Sequence, residues 1–399
     1  MSLSHGRPYL AIPGPSVVPD RVLQAMHQPA PNIYGSAIER MVEGIVTDLK
    51  VVARTEHNVA IYICNGHGAW EAALANVLSR GDKVLVLATG LFGLGWAGIA
   101  TGLGAEVEVI DYGNRSDIDM ARLEAALRAD TGGKIKAVMA VHVDTSSSVR
   151  NDISGVRAVM DAVGHGALLM TDCIASLAVE RFEMDACGVD VMVAASQKGL
   201  MLPPGLGFVY FNDKADTVRE AADCVSSYWD WRPRARPDGF YQYFAGTAPT
   251  HHLFGLHEAL KMLVHEEGVE AAWARHAKLA KTVWAAFEAW GVKGPVELNI
   301  ADVDMRSHAV TAVRIGSPLG TALRDWVSER AGVTLGIGIG MAPPGDPAWH
   351  GFFRVGHMGH VNAHMVLGVL GVIESGMVAL DIEHGEGALA AAAKVVAEA

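Results

Sequence analysis

Ala167-Leu168-Leu169-Met170-Thr171-Asp172 is a short apolar run that ends in a carboxylate, and this stretch decides the fold. Similar short runs, separated by longer helical stretches, fill the chain between about residues 61 and 211. They lie at residues 84–87, 107–110, 137–141, 191–194 and 207–211. Short β-rich runs that alternate with helices predict βαβ units, and therefore an α/β fold whose mostly parallel sheet is buried on both faces.

Polar side chains follow three of these predicted strands. Asp172 ends one run, and Lys198 follows another in the sequence Ser196-Gln197-Lys198-Gly199. A third run is followed by the turn His142-Val143-Asp144-Thr145-Ser146-Ser147-Ser148. In an open α/β sheet, ligands bind beyond the carboxyl ends of the strands. We therefore expect these three strand ends to meet at one crevice.

Length and charge limit the class of protein. A chain of 399 residues exceeds one ordinary core. We divide it into an N-terminal segment (1–20), a large domain (21–260), a connecting helix (261–290) and a smaller C-terminal α+β domain (291–399). The net charge of -12 and the pI near 5.8 leave no basic surface for nucleic acid or an anionic membrane. Small molecules are therefore the expected partners.

The cysteines and the N-terminus indicate the compartment. The four cysteines are too few and too irregularly spaced for a disulfide framework, and none forms a Cys-x-x-Cys pair. The N-terminus lacks the apolar core of a signal peptide, and no apolar run approaches the roughly 18 residues that a membrane span needs. We expect a cytoplasmic protein without membrane attachment.

Two groups of histidines have spacings that resemble a metal site. They consist of His357, His360 and His364, and of His251, His252 and His257. Neither group has a carboxylate or thiolate companion, and 17 histidines in one chain produce such spacings by chance. We therefore expect no metal.

The Lys198 and Asp172 side chains give the strongest indication of chemistry. Pyridoxal phosphate requires two groups from a protein: an amine that condenses with its aldehyde, and a carboxylate that keeps a proton on its pyridine nitrogen. Taken alone, Lys198 is typical of a surface lysine and Asp172 of a helix N-cap. The strand before Lys198 and the Pro203-Pro204-Gly205 turn after it favour the functional interpretation.

Four sequence motifs occur in one order along the chain. They are Asn65-Gly66-His67-Gly68-Ala69-Trp70-Glu71-Ala72-Ala73-Leu74, Asp172-Cys173-Ile174-Ala175-Ser176, Ser196-Gln197-Lys198-Gly199, and Arg354-Val355-Gly356-His357-Met358-Gly359. With these motifs the chain resembles the class V, fold-type I aminotransferases, in the branch of alanine–glyoxylate and serine–glyoxylate aminotransferases. The resemblance implies a large domain with a seven-stranded, mostly parallel sheet and a smaller C-terminal α+β domain.

The resemblance also implies a pyridoxal 5'-phosphate site. Lys198 would form the Schiff base and then move the proton, and Asp172 would pair with the pyridine nitrogen. A glycine-rich helix start can bind a phosphate through its backbone N–H groups. The other cofactor-binding residues that the resemblance implies are Gly66, His67, Gly68 and Gln197 at the phosphate, Phe92 against the ring, Ser146 or Ser147 at the ring hydroxyl or the substrate, and Thr247 reaching the phosphate from a partner subunit.

Two residues are implied at the substrate. Arg354 would bind the α-carboxylate, because a planar guanidinium offers two parallel donors to a carboxylate. Tyr34 lies in Tyr34-Gly35-Ser36-Ala37, where serine-preferring relatives commonly present an arginine. The missing arginine makes alanine as credible a donor as serine. Phe244 also stands where relatives often carry a tyrosine that contacts the phosphate.

These features predict a homodimeric transaminase with shared active sites. It would move the amino group of alanine or serine to glyoxylate, or to another short 2-oxo acid, by a ping-pong mechanism. Aspartate or ureidoglycine as donor stays open, and so does a pyridoxamine–pyruvate type of reaction, which does not need the phosphate site. A cysteine desulfurase is disfavoured because no cysteine follows Cys224. The non-enzymatic alternative is a homologue that binds the cofactor without catalysis.

Overall fold

The computed structural model describes residues 3–398, which contain a large sheet, a smaller sheet and a short hairpin. The strands in chain order are β1 (Tyr9–Ala11), β2 (Asn58–Tyr62), β3 (Lys83–Ala88), β4 (Glu106–Asp111), β5 (Ile135–Val141), β6 (Val143–Asp144), β7 (Val149–Arg150), β8 (Leu168–Asp172), β9 (Val191–Ala195), β10 (Gly207–Phe211), β11 (Glu297–Leu298), β12 (Val310–Arg314), β13 (Val333–Ile337) and β14 (Phe352–Gly356).

Helices separate most of these strands. The α-helices are α1 (Asp20–Met26), α2 (Ser36–Ala53), α3 (Gly66–Ala75), α4 (Leu91–Gly102), α5 (Met120–Ala129), α6 (Ile153–Val163), α7 (Asp213–Val218), α8 (Trp231–Ala235), α9 (Thr250–Leu260), α10 (Val269–Trp290), α11 (Leu319–Ala331), α12 (Ala363–Ala379) and α13 (Ala388–Ala397). Among residues 3–398, no helix is both long and apolar enough to cross a membrane.

The large sheet has seven strands in the order β2-β10-β9-β8-β5-β3-β4. The pairs from β9 through β8, β5 and β3 to β4 are parallel, and β10 runs antiparallel to its neighbours β9 and β2. The predicted α/β class with a mostly parallel seven-stranded sheet is therefore confirmed.

Helices cover both faces of this sheet, which explains why its strands read as continuous apolar runs. Side chains alternate between the two faces along a strand. In β8, Leu169 packs in the core formed with α2, α5, α6 and α9, whereas Leu168 and Met170 pack in the core formed with α3 and α4. By the same alternation, Asp172 lies on the face that carries α3.

The smaller sheet has the order β1-β13-β14-β12-β11. Strand β1 joins it from the start of the chain and pairs in parallel with β13, while the other pairs are antiparallel. Its core is built with α10 to α13 and includes Phe287, Trp290 and Phe353. The N-terminal segment therefore passes between the two sheets on its way to α1.

A long helical connection links the two sheets. Helix α9 continues through a π-helical stretch, Lys261–Glu267, and α10 begins after Gly268, whose φ of +87° favours glycine. The domain limits at residues 20, 260 and 290 stay a prediction. The first predicted segment includes residues 1 and 2, and the last predicted domain includes residue 399. These three residues lie outside the described part of the chain.

Candidate active site

A cavity of about 270 Å³ lies beyond the carboxyl ends of β5, β8 and β9. The residues of the sequence prediction that line it are Gly66, His67, Phe92, Asp172, Gln197 and Lys198. These residues come from two strand exits, of β8 and β9, and from two helix starts, of α3 and α4. Parallel strands end at one edge of a sheet, and this geometry brings residues that are far apart in the chain together.

Asp172 is the last residue of β8 and is only 4% exposed. Its Oδ2 accepts a hydrogen bond from Trp70 Nε1 at 2.9 Å, and its Oδ1 accepts one from the backbone N–H of Ile174 at 2.6 Å. Burial raises the pKa of Asp172 to about 7, although these two bonds oppose the shift. A cationic group beside this carboxylate would favour its ionised form.

Lys198 lies in the loop after β9, and the N-terminal segment holds that loop. The Ser16 N–H donates to Gln197 O at 2.9 Å, and Ser16 Oγ donates to Lys198 O at 2.7 Å. Lys198 Nζ donates to Pro13 O. A Cβ atom at Gly14 would lie 2.6 Å from Nζ, so the amine occupies space that only glycine leaves open.

The amine of Lys198 titrates close to neutral pH. Burial and the nearby charge of Arg354 lower the pKa of Lys198 to about 8, and the charge of Asp172 opposes the shift. A substantial fraction of the amine is therefore neutral near pH 7 to 8. Only the neutral form can attack a carbonyl or accept a proton.

The first turn of α3 supplies the glycine-rich part of the cavity. Asn65 caps this helix: its Oδ1 accepts from the N–H groups of His67 at 3.1 Å and Gly68 at 3.3 Å. Gly66 and His67 line the cavity, whereas Gly68 does not. The chain thus uses two of the N–H groups that were predicted for a phosphate.

Aromatic side chains form one wall. Phe92, in the first turn of α4, meets the edge of Trp70 with 6.3 Å between ring centroids. Trp70 also packs in parallel on Trp96 at 6.0 Å and lies 4.7 Å from the ring of His67. The wall is aromatic, and an aromatic face suits a planar ring. The stacking role of Phe92 stays a prediction.

Arg354 lies on β14 and is 7% exposed. Its Nε donates to Ile337 O at 2.7 Å, and its Nη1 donates to Thr145 O at 2.6 Å. Burial lowers the pKa of Arg354 to about 10. These bonds orient the guanidinium and, within residues 3–398, leave Nη2 for a carboxylate. Arg354 itself does not line the cavity.

The structure does not bring Ser146 to the cavity. Its Oγ donates to Asp144 Oδ1 and accepts from the Leu91 N–H at 2.9 Å. Asp144 also accepts from the Phe92 N–H at 2.9 Å, so these two side chains cap α4. Thr145 lines the cavity in place of Ser146. The physical reason is that the start of α4 needs acceptors, and the serine turn is the nearest source.

The family is decided by comparison with known sequences. The model of the aminotransferase class-V family matches residues 8–338, which is most of the chain. This chain belongs to the class V aminotransferases. It is therefore an enzyme that transfers amino groups.

Relatives of this aminotransferase match almost all of it. A serine–glyoxylate aminotransferase of Methylorubrum extorquens is 34% identical over 397 residues, covering 97% of this chain and 95% of the relative. An L-aspartate–glyoxylate aminotransferase of Paracoccus denitrificans is 33% identical, covering 95% and 94%. Among solved structures, the pyridoxamine–pyruvate aminotransferase of Mesorhizobium loti superposes with a TM-score of 0.89 at 27% identity and covers 99% of both chains.

The class V fold uses pyridoxal phosphate, and the residues of this aminotransferase fit that group. Gln197 Oε1 is buried and has no hydrogen-bond partner within residues 3–398. Buried polar atoms normally have partners, so this amide has bonding capacity for a ligand. In the described part of the chain, Asp172 has no cation in direct contact. Lys198 lines the same cavity.

Two predicted residues of the aminotransferase lie away from the cavity of their own chain. Thr247 is exposed in the turn before α9. Tyr34 is 92% exposed in the turn before α2. Neither lines the cavity. Both roles stay predictions, and that of Thr247 requires a second copy of the chain.

Sequence reasoning missed four residues that shape the site. Trp70 and Asn65 stood inside a recognised motif without a role, and Thr145 stood beside the serine that was chosen. Gly14 was overlooked, although a glycine between two prolines, Pro13 and Pro15, indicates a special backbone position. The partners of Trp70 and Gly14 lie more than 100 residues away, at Asp172 and Lys198, so no local pattern reveals them.

Proposed function

We propose that this aminotransferase is a pyridoxal 5'-phosphate enzyme that moves the amino group of alanine or serine to glyoxylate or another short 2-oxo acid. The observation that carries the proposal is the meeting of Lys198 and Asp172 in one cavity, with the pKa values of both shifted toward neutrality. An amine and a carboxyl group in this state are what the cofactor requires.

Residues of this chain would hold the cofactor in a defined orientation. Lys198 would bind its aldehyde carbon, Asp172 its ring nitrogen, Phe92 its ring face, and Gln197 with Gly66 and His67 its phosphate. When bound, pyridoxal phosphate carries the amino group and accepts the electron pair that is released at the substrate Cα. Asp172 would stay ionised beside the protonated ring nitrogen, since an opposite charge offsets the cost of its burial.

Lys198 would act twice. Its neutral amine would hold the cofactor, and the same amine would serve as a base once the amino donor is bound. The freed amine accepts the proton from the substrate Cα, for which a pKa near the working pH is favourable. Lys198 would therefore be the group that holds this proton at Nζ and passes it on. Arg354 nearby would bind the substrate carboxylate and so place Cα close to Nζ.

The donor is proposed to be small and uncharged in its side chain. Val143, Ala175 and Ile174 line the cavity and give it an apolar surface. Among residues 3–398, Lys198 is the only lysine or arginine that lines it. A second carboxylate, as in aspartate, would find no cation there once Arg354 holds the first. The names of the serine–glyoxylate relatives support this choice, and that of the aspartate–glyoxylate relative opposes it.

The functional unit is proposed to be a cytoplasmic homodimer with shared active sites. The exposed position of Thr247 supports this, because this residue was predicted to reach the phosphate of a partner subunit. Four free cysteines are compatible with a reducing cytoplasm.

A second candidate is the transamination of free pyridoxamine. Asn65 already accepts hydrogen bonds from two N–H groups at the start of α3, and Phe244 lacks a hydroxyl, so the phosphate has fewer donors than predicted. The resemblance to the Mesorhizobium loti structure also supports it. Affinity decides between the two: tight binding of pyridoxal phosphate and weak binding of pyridoxal favour the first proposal.

Absorbance spectroscopy tests the main proposal. With pyridoxal phosphate bound, we expect a visible band that requires Lys198 and is absent from Lys198→Ala. Alanine or serine should bleach the band and glyoxylate should restore it, with aspartate much less effective. A band that no amino donor bleaches would identify an inactive binder, and no band at all would overturn the cofactor assignment.

A further inference from the structure

The indole of Trp70 makes a direct polar contact with the carboxylate that is proposed to bind the cofactor ring. Trp70 Nε1 donates to Asp172 Oδ2 at 2.9 Å, and Trp70 is 1% exposed. The contact joins α3 to the end of β8, two elements that are 102 positions apart at these residues. Both residues lie on the same face of the large sheet, with Met170 and Trp96.

We propose that Trp70 is a positioning residue whose indole N–H holds the Asp172 carboxylate ionised and oriented toward the ring nitrogen of the cofactor. This inference rests on the proposed function. Trp70 acts through Asp172 and exchanges no proton with the substrate.

Charge explains why this donor matters. A carboxylate in a buried site tends to take up a proton. The neutral carboxyl group that results can no longer stabilise a positive charge on the ring nitrogen of the cofactor. A donor to the ionised form favours the carboxylate, so the proton stays on the ring. Hydrogen bonds from neutral donors to a charged group are stronger than those between neutral groups. Of the two donors to Asp172, the Ile174 N–H belongs to the backbone, and only that of Trp70 depends on a side chain.

The contact also links two parts of the predicted cofactor site. Helix α3 carries Gly66 and His67 in its first turn and Trp70 one turn later. Trp70 packs at 4.7 Å from His67 and against the edge of Phe92. The spacing between the phosphate end and the ring-nitrogen end of the site is thereby set by one rigid helix turn and one hydrogen bond.

Trp96 provides a matched control. It is 0% exposed, lies in the same hydrophobic core and packs in parallel on Trp70 at 6.0 Å. Its Nε1 is buried and has no hydrogen-bond partner within residues 3–398. Replacement of either tryptophan by phenylalanine removes the same atoms from the same core. Only Trp70→Phe removes a donor from Asp172.

The first measurement uses the protein without cofactor. Infrared difference spectra against Asp172→Asn follow the protonated carboxyl of Asp172 as the pH changes. We expect Trp70→Phe to move this titration to higher pH and Trp96→Phe to leave it unchanged. Loss of core packing alone would affect both variants alike, so equal titrations in both variants would overturn the inference.

The second measurement is the affinity for pyridoxal phosphate, followed by the absorbance of the bound cofactor. Loss of one hydrogen bond to a charged group should weaken binding about tenfold or more in Trp70→Phe, with little change in Trp96→Phe. The pH at which the visible band titrates should also change in Trp70→Phe alone. Equal affinities of the two variants would contradict the proposal.

Two further arms keep the test decisive. If Trp70→Phe does not fold, 3-benzothienylalanine at position 70 keeps the bicyclic shape and lacks the N–H, and the same shifts are expected. If the wild-type protein forms no band that depends on Lys198, the proposed function fails. If it forms that band and removal of the N–H changes neither the Asp172 titration nor the affinity, the function stands and the role of Trp70 fails.

Discussion

Two buried carboxyl groups, Asp172 and Glu180, lie eight positions apart in the chain and differ widely in acidity. Asp172 is 4% exposed and Glu180 is 1% exposed, so burial acts on both. The pKa of Asp172 is raised to about 7. Burial would also raise the pKa of Glu180, but the hydrogen bond and the attraction of His308 outweigh it and lower that pKa to about 2.

The partners account for this difference. Glu180 Oε2 lies 2.7 Å from His308 Nδ1, and its Oε1 accepts from the His308 N–H. Next to them, His357 Nε2 lies 2.9 Å from Thr311 Oγ1. The hydrogen-bonded group of Glu180, His308, His357 and Thr311, here called the paired network, therefore reaches into the smaller sheet. Asp172 has two neutral donors and, within residues 3–398, no cation in direct contact. One carboxylate is fully paired inside the protein and supports the fold, whereas the other keeps its capacity for a ligand.

The largest expected effect separates the two groups by activity. Asp172→Asn should slow the amino-transfer half-reaction by about 10²- to 10³-fold, because it removes the anion that stabilises the cationic ring. Glu180→Gln should change the rate per folded molecule only a few-fold. Single-turnover absorbance measurements with alanine check both. Equal losses in the two variants would break the comparison.

The free energy of unfolding should depend on Glu180 more than the activity does. Glu180→Gln should lower the free energy of unfolding by about 3 kcal/mol at pH 7. The ionised Glu180 stabilises the folded protein at any pH above the pKa that this side chain has in the unfolded chain. This stability is lost as the pH falls toward 2, the pKa of Glu180 in the folded protein. Urea unfolding monitors this. Glu183→Gln, which removes a more exposed partner of Arg181, is the control and should cost under about 1 kcal/mol.

Asp172→Asn should stabilise the cofactor-free protein at pH 8 by about 2 kcal/mol. The unfolded chain releases the proton of Asp172 near pH 4, whereas the folded protein holds it up to about pH 7. The folded protein therefore loses stability as the pH rises from about 4 through 7. Asparagine does not titrate, so the gain should grow from pH 4 to 7 and then level off. Urea unfolding at a series of pH values measures it, and a gain that does not depend on pH would contradict the sign.

The smallest effect concerns a buried histidine beside the paired network. His276 Nε2 accepts from the Gly359 N–H at 2.9 Å, so the folded protein needs the neutral ring, and burial lowers the pKa of His276 to about 3. Unfolded histidine gains its proton near pH 6.5, so stability should fall from pH 6.5 toward 4. His276→Gln should reduce this slope by about 1 kcal/mol per pH unit. The exposed His257→Gln should leave it unchanged.

The strands of the large sheet could be predicted because both faces are covered, which makes each strand an apolar run. Lys198 and Asp172 could be chosen because strand ends are recognisable in the sequence. The sequence shows that a polar turn follows β5 but not which hydroxyl turns toward α4, so the role of Ser146 at the cofactor or substrate stays a prediction. Strand β1 could not be assigned to the smaller sheet, since its partner β13 lies more than 300 residues later.

The sequence by itself determined the alternation of strands and helices in the large sheet, the family and the types of chemical groups at the strand ends, because these depend on local periodicity and short motifs. The tertiary structure alone decided which of these groups are satisfied. It paired Glu180 with His308, gave Asp172 the N–H groups of Trp70 and Ile174, and brought Gly14 beside the Lys198 amine. The acidity of a buried group depends on the distances to its neighbours, and these exist only after the chain has folded.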